Sequence, residues 1–219
     1  QCFPEHKELT KTKGIEIDPG LLNPNNWGPE GVYGGSGPYV YIIHEMTHNF
    51  DRYSPFIMFG PDAGHSWTDF MNFYIGVYDR FGSFRLTPEA LLQSSIDTYF
   101  RPYLTFPGST WETCIRDNLC NPSGAMQQHA QGGMVLRVAQ LQGAQAASQA
   151  MAYLQNAITT RALNPGLMTV LQKNDLLIES LSHGAAANLS CYFDAWHWPV
   201  SDALRAQLTA AFGVNSNCL

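Results

Sequence analysis

The stretch Tyr39-Val-Tyr-Ile-Ile-His-Glu-Met-Thr-His-Asn-Phe-Asp51 decides how the chain is read, because it carries His44-Glu45-Met46-Thr47-His48 behind an apolar turn. On a helix, positions four apart share a face, so the imidazoles of His44 and His48 can hold one ion between them. Glu45, one step round, leans toward a water on that ion. The apolar turn ahead of the histidines suits a helix buried behind a metal. This spacing predicts a zinc-bearing helix in a mainly α chain.

Working outward, Ser54-Pro55 is expected to end that helix, since a proline disfavours helical geometry in its predecessor. Pro61-Asp-Ala-Gly64 reads as a turn. Ser66 to about Phe81 reads as a second helix, apolar on most of its surface and packed on the first. Thr87-Pro88-Glu89 is a start signal for a helix from Ala90 to about Tyr103. Gly132 to Ala162 reads as a long helical region with a break around Gly143, stopped by Asn164-Pro165-Gly166. Asn174-Asp175 is expected to cap a helix from Leu176 to His183, Asn188 a short helix through Trp196, and Ser201-Asp202 a last helix to about Phe212. Residues 1–38 are rich in Pro, Gly and Asn, with a short strand expected only around Gly14 to Ile17. The expected organisation is a loop-rich lead-in, 1–38, followed by a single helical domain, 39–219.

Composition bounds the function. Hydrophobic residues make up 45% of the 219 and charged residues only 14%, which argues against disorder and for a full core. A formal charge of −6 leaves no basic field for phosphate chains, so nucleic acid is excluded as a partner. No apolar stretch is long enough to span a bilayer. The chain opens on Gln1-Cys2-Phe3-Pro4, and a signal peptide, pro-segment or further domain is expected upstream. None of the five cysteines shows C-x-x-C spacing, so a structural zinc knuckle is not supported. Cys114 and Cys120 are expected to clamp a surface loop in an oxidising compartment. That leaves Cys2, Cys191 and Cys218, with Cys2 read as having lost an upstream partner or Cys191 as a small buried hydrophobe.

A catalytic zinc needs three protein ligands and an open position. Asn49-Phe50-Asp51 lacks the Gly and third His of the metzincin motif, so the third ligand is sought on a second helix, as in the gluzincin plan. Asp69 sits there, a carboxylate among Trp67, Phe70, Met71 and Phe73, where a neighbouring cation would compensate its burial. His65 is the alternative. Asp62 lies in a turn, Asp51 suits orienting a ligand from one turn beyond His48, and Asp79 reads as solvated. With zinc in place, the metal lowers the pKa of its water, Glu45 accepts the proton and then returns it to the departing amine. Tyr74, Tyr78, His183, Tyr192 and His197 are the available types for an oxyanion donor, with none assigned.

Two stretches resemble one family, the enhancin-like zinc metallopeptidases, which include bacterial mucin-degrading proteases. Ile43-His-Glu-Met-Thr-His-Asn-Phe50 with Thr68-Asp-Phe-Met-Asn-Phe-Tyr74 is similar to the family's His-Glu-x-x-His-Asn-Phe and Glu-Val-x-x-Asn-x-Tyr. Ala187-Asn-Leu-Ser-Cys-Tyr-Phe-Asp-Ala-Trp-His-Trp-Pro-Val-Ser201 is similar to a segment ending Phe-Phe-x-x-Trp-Gly-x-Pro-Val. The resemblance implies a zincin-like catalytic domain with its helical part dominant, Zn2+ on His44, His48 and Asp69, and Glu45 as base. It further implies a secreted or surface-displayed endopeptidase acting on protein or glycoprotein substrates. The family has Glu where this chain has Asp69, one methylene shorter. Two rival readings stay open: a zinc aminopeptidase or amidase, and a catalytically weakened metal-binding module that recognises glycoproteins or acts as a toxin. In the second stretch Phe193, Trp196 and Trp198 are read as packing residues rather than a sugar platform, and Asn188 of the sequon Asn188-Leu-Ser190 as a cap needing no glycan.

Overall fold

A computed structural model describes residues 47, 51–59, 64, 66–68, 71, 97, 100–105, 107–117, 119–120, 133–134 and 137–215, the side chains of Asp51 and Ala144 excepted. Helix dominates among them, and no strand occurs among the described residues. The elements are α1 (Ser54–Ile57), α2 (Arg101–Thr105), a π-helical turn (Glu112–Arg116), α3 (Ala144–Thr160), α4 (Val170–Ala185), α5 (Ser190–Ala195) and α6 (Asp202–Phe212). None of the described helices is long and apolar enough to cross a membrane.

Residues 48–50, through which the motif helix would run to its expected end before Ser54-Pro55, lie outside the described residues. A 3-10 turn, Asp51–Tyr53, then hands over to a separate helix, α1, with Pro55 in its first turn. A proline is tolerated there because a first-turn N–H has no helical partner in any case. The Met58 N–H donates to the Ser54 carbonyl at 2.8 Å, and the chain then leaves in an extended conformation. Gly64, expected in a turn, is already helical, as are Ser66, Trp67, Thr68 and Met71. The expected lead-in strand lies outside the described residues.

α3 and α4 form the central helical pair, joined by a turn in which Asn164 Oδ1 accepts the Gly166 N–H at 2.9 Å. The expected break at Gly143 is there: residues 137–142 are helical, and Gly143, at φ 90°, starts α3 afresh. The buried face of α3 is mostly alanine, with Ala146, Ala147, Ala150 and Ala157 beside Leu154. Gly184 of α4 presses on that face so closely that an added Cβ would run into the Ala146 carbonyl oxygen and lie 2.6 Å from the Ala150 nitrogen. Small residues on both sides allow the two backbones to meet.

The start of α4 corrects an expectation. Thr169 Oγ accepts the Gln172 N–H at 3.2 Å, and Gln172 Oε1 accepts the Thr169 N–H at 2.8 Å. This reciprocal box satisfies two otherwise orphaned donors, so the helix begins well before Leu176. Asn174 and Asp175, expected as caps, lie inside the helix and reach across the fold instead. Asn174 Oδ1 accepts the Trp198 Nε1–H, and Asp175 Oδ1 accepts the Ser201 N–H, both at 3.0 Å. α6 starts as expected, with Ser201 Oγ accepting the Leu204 N–H at 3.1 Å.

The core joins α1, α2, the π-turn and the central pair. Ile57, Tyr103, Trp111, Ile115, Leu154, Leu177, Phe193 and Trp198 are buried, and the Tyr103 hydroxyl donates to the Trp196 carbonyl at 2.8 Å. Cys114 and Cys120 are joined by a disulfide that closes the π-turn, as the spacing predicts. Cys191 is only partly buried and is also disulfide-bonded, which corrects its reading as a small buried hydrophobe.

Candidate metal centre and its helical support

His44, Glu45, His48, Asp69, His65, Asp62 and Asp79 lie outside the described residues, as does the Asp51 side chain. Their immediate sequence neighbours are described. Thr47, between Glu45 and His48, is helical and buried. Ser66, Trp67 and Thr68, which lead directly into Asp69, are helical and buried too. Both motif-bearing stretches are therefore helical and inward-facing at the residues described. Among the described residues no cluster of three or more His, Cys, Asp or Glu could hold a metal ion.

The charged cluster that the described residues do assemble is centred on Glu179 of α4, and it escaped the sequence reading. Glu179 is 4% exposed. Its carboxylate accepts from Tyr153 Oη at 2.8 Å, from Arg161 Nη1 and Nη2 at 2.8 and 2.7 Å, and from Gln207 Nε2 at 2.7 Å. Burial would raise this carboxyl, but the hydrogen bonds from Arg161, Tyr153 and Gln207, with the Arg161 charge, outweigh it and hold the group below the usual carboxylate range. Burial first, and then the hydrogen bond to Glu179, push the Tyr153 phenol up to about 12. The hydrogen bond to Glu179 likewise raises the Arg161 guanidinium. A carboxylate that is buried and accepts four hydrogen bonds from three side chains is held as a structural tie, so this cluster links α3, α4 and α6. The only local hint was one acid inside the apolar run Leu176-Leu-Ile-Glu-Ser-Leu181.

The oxyanion-donor types fall at separate places. The His183 ring stacks on Tyr153, with centroids 4.0 Å apart and planes at 9°, and meets the edge of Phe212 at 5.1 Å. Tyr192 leans on Trp196 at 6.0 Å. His197 is exposed in a left-handed conformation at φ 57°, with its ring 6.4 Å from that of Tyr103. Tyr74 and Tyr78 lie outside the described residues.

The segment that resembles the family's second stretch is used for packing. Phe193, Trp196 and Trp198 are buried, and Trp198 packs edge-on to Trp111 at 5.8 Å and to Phe59 at 6.1 Å. Asn188 is buried, and its whole amide is engaged. Oδ1 accepts from the Ser190 N–H and Oγ–H, while Nδ2 donates to Thr209 Oγ1 and the Gly213 carbonyl. The sequon is thus closed to a glycosyltransferase in the folded chain.

No protein-family model, curated protein or solved structure matches the chain.

Proposed function

We propose that the chain is a secreted, zinc-dependent endopeptidase that hydrolyses peptide bonds in glycoprotein or mucin-like substrates. The observation that carries this reading is the helical, buried state of Thr47 inside His44-Glu-x-x-His48. Helical geometry at that residue is what turns a spacing of four into two imidazoles on one face. The helical, buried Trp67 and Thr68 support the same for Asp69, whose carboxylate would enter from a second helix. Two imidazoles and one carboxylate form a ligand set that suits catalytic zinc.

His44, His48 and Asp69 would hold the ion, which supplies Lewis acidity toward a peptide carbonyl and toward water. Glu45 does the proton work. It removes a proton from the attacking water and delivers it to the leaving amine nitrogen, so one carboxylate serves as base and then as acid. With Asp in place of the family's Glu, the second helix has to stand closer to the first for the same reach.

Zinc content by mass spectrometry, on protein purified without added metal, is expected to be one ion per chain. Casein and mucin digestion should fall about 10² to 10⁴-fold in Glu45→Gln while its zinc content is retained. Equal activity in the two proteins would sink the assignment.

A further inference from the structure

Observations on the C-terminal tail converge on one side of α5. Cys191 is disulfide-bonded. Cys114 and Cys120 are bonded to each other, which leaves Cys2 and Cys218 as its possible partners within the chain. Beyond α6 the tail turns back toward the residues that precede α5: Asn188 Nδ2 donates to the Gly213 carbonyl at 3.2 Å, and Asn215 Nδ2 donates to the Asn188 carbonyl at 2.9 Å. The Cys191 sulfur stands 4.0 Å from that same Asn188 oxygen. The tail and the sulfur therefore meet at one atom. From Asn215, three more residues can span roughly 10 Å. A disulfide needs its two Cα atoms within about 7 Å of each other. Cys218 is thus in reach of Cys191.

We infer that Cys191 pairs with Cys218, a covalent clasp that closes α5, α6 and the tail into one ring. Two S–H bonds break and one S–S bond forms. The two electrons and two protons pass to an oxidised disulfide, that of a thiol oxidoreductase or of glutathione, which leaves as the dithiol or as two thiols. The clasp bears on the fold through α6, because Gln207 on that helix donates to Glu179 and Thr209 accepts from Asn188. Reduction removes that link and leaves the hydrogen bonds of Gly213 and Asn215 with Asn188, so the seating of α6 becomes redox-dependent.

The test is peptide mapping of the full chain, purified without reductant and alkylated before digestion. Trypsin cuts after Lys173 and Arg205. The expected product is the peptide of residues 174–205 linked to that of 206–219, lost on treatment with dithiothreitol. Linkage of 174–205 to residues 1–7, or alkylation of Cys191, overturns the inference. In Cys218→Ser, amide hydrogen exchange in α6 should speed up by about tenfold or more. Unchanged exchange there would remove the clasp's role in holding α6.

Discussion

The two ends of α4 hold their neighbours by opposite means. Near its N-terminus, Asn174 accepts from Trp198, which sits among the rings of Trp111, Phe59 and Phe193 at 5.8 to 6.4 Å. That junction is dispersive, and among the described residues it leaves the Trp111 indole N–H and the Asn174 amide nitrogen buried without an acceptor. Toward its C-terminus, Glu179 accepts four hydrogen bonds and Gly184 touches the backbone of α3. Rings can slide by a few tenths of an ångström at small cost, whereas a carboxylate fixed by four hydrogen bonds and a backbone contact have little slack. The C-terminal end of α4 should therefore be far less tolerant of substitution.

The strongest way to break that contrast is Gly184→Ala. The clashing atoms are backbone, so relief requires moving a helix, and a loss of about 3 kcal/mol or more is expected in urea unfolding. A wild-type midpoint would mean that the two helices do not touch there. Arg161→Met comes next, at about 3 kcal/mol, because it leaves Glu179 charged and buried. Glu179→Gln should be milder, since the Arg161 it abandons is 45% exposed and can hydrate. pH sharpens the point. The Glu179 carboxyl is lower in the folded chain than in the unfolded one, so its contribution is whole above about pH 4.3 and is lost as pH falls through the folded value. The gap in Tm between wild type and Glu179→Gln is thus expected to close on acidification below that range. At the other end, Trp198→Phe removes the donor to Asn174 while keeping a ring, and about 1 to 2 kcal/mol is expected. A larger loss there than in Arg161→Met would reverse the comparison.

Much of the helical plan was legible because its signals are local. Ser201 caps α6 through a donor three residues on, and Asn164 closes its turn through one two residues on. Gly143 breaks the long helical region at a positive φ that few side chains accept. Asn174 and Asp175 misled for the same reason. They look like a cap in sequence, but their partners are 24 and 26 residues away. The candidate site was legible only as spacing, through two imidazoles four positions apart and a carboxylate on the next expected helix.

By itself the sequence determined the helix-rich character, the main breaks and stops, the Cys114–Cys120 clamp and the His-Glu-x-x-His candidate, because each depends on groups within a few positions of one another. Only the tertiary structure decided which buried polar groups meet: Glu179 with Arg161, Tyr153 and Gln207, Asn174 with Trp198, and Gly184 with the backbone of α3. A buried donor or acceptor takes whichever partner the packing of distant helices brings within about 3 Å, and that choice leaves no mark in the local pattern of residues.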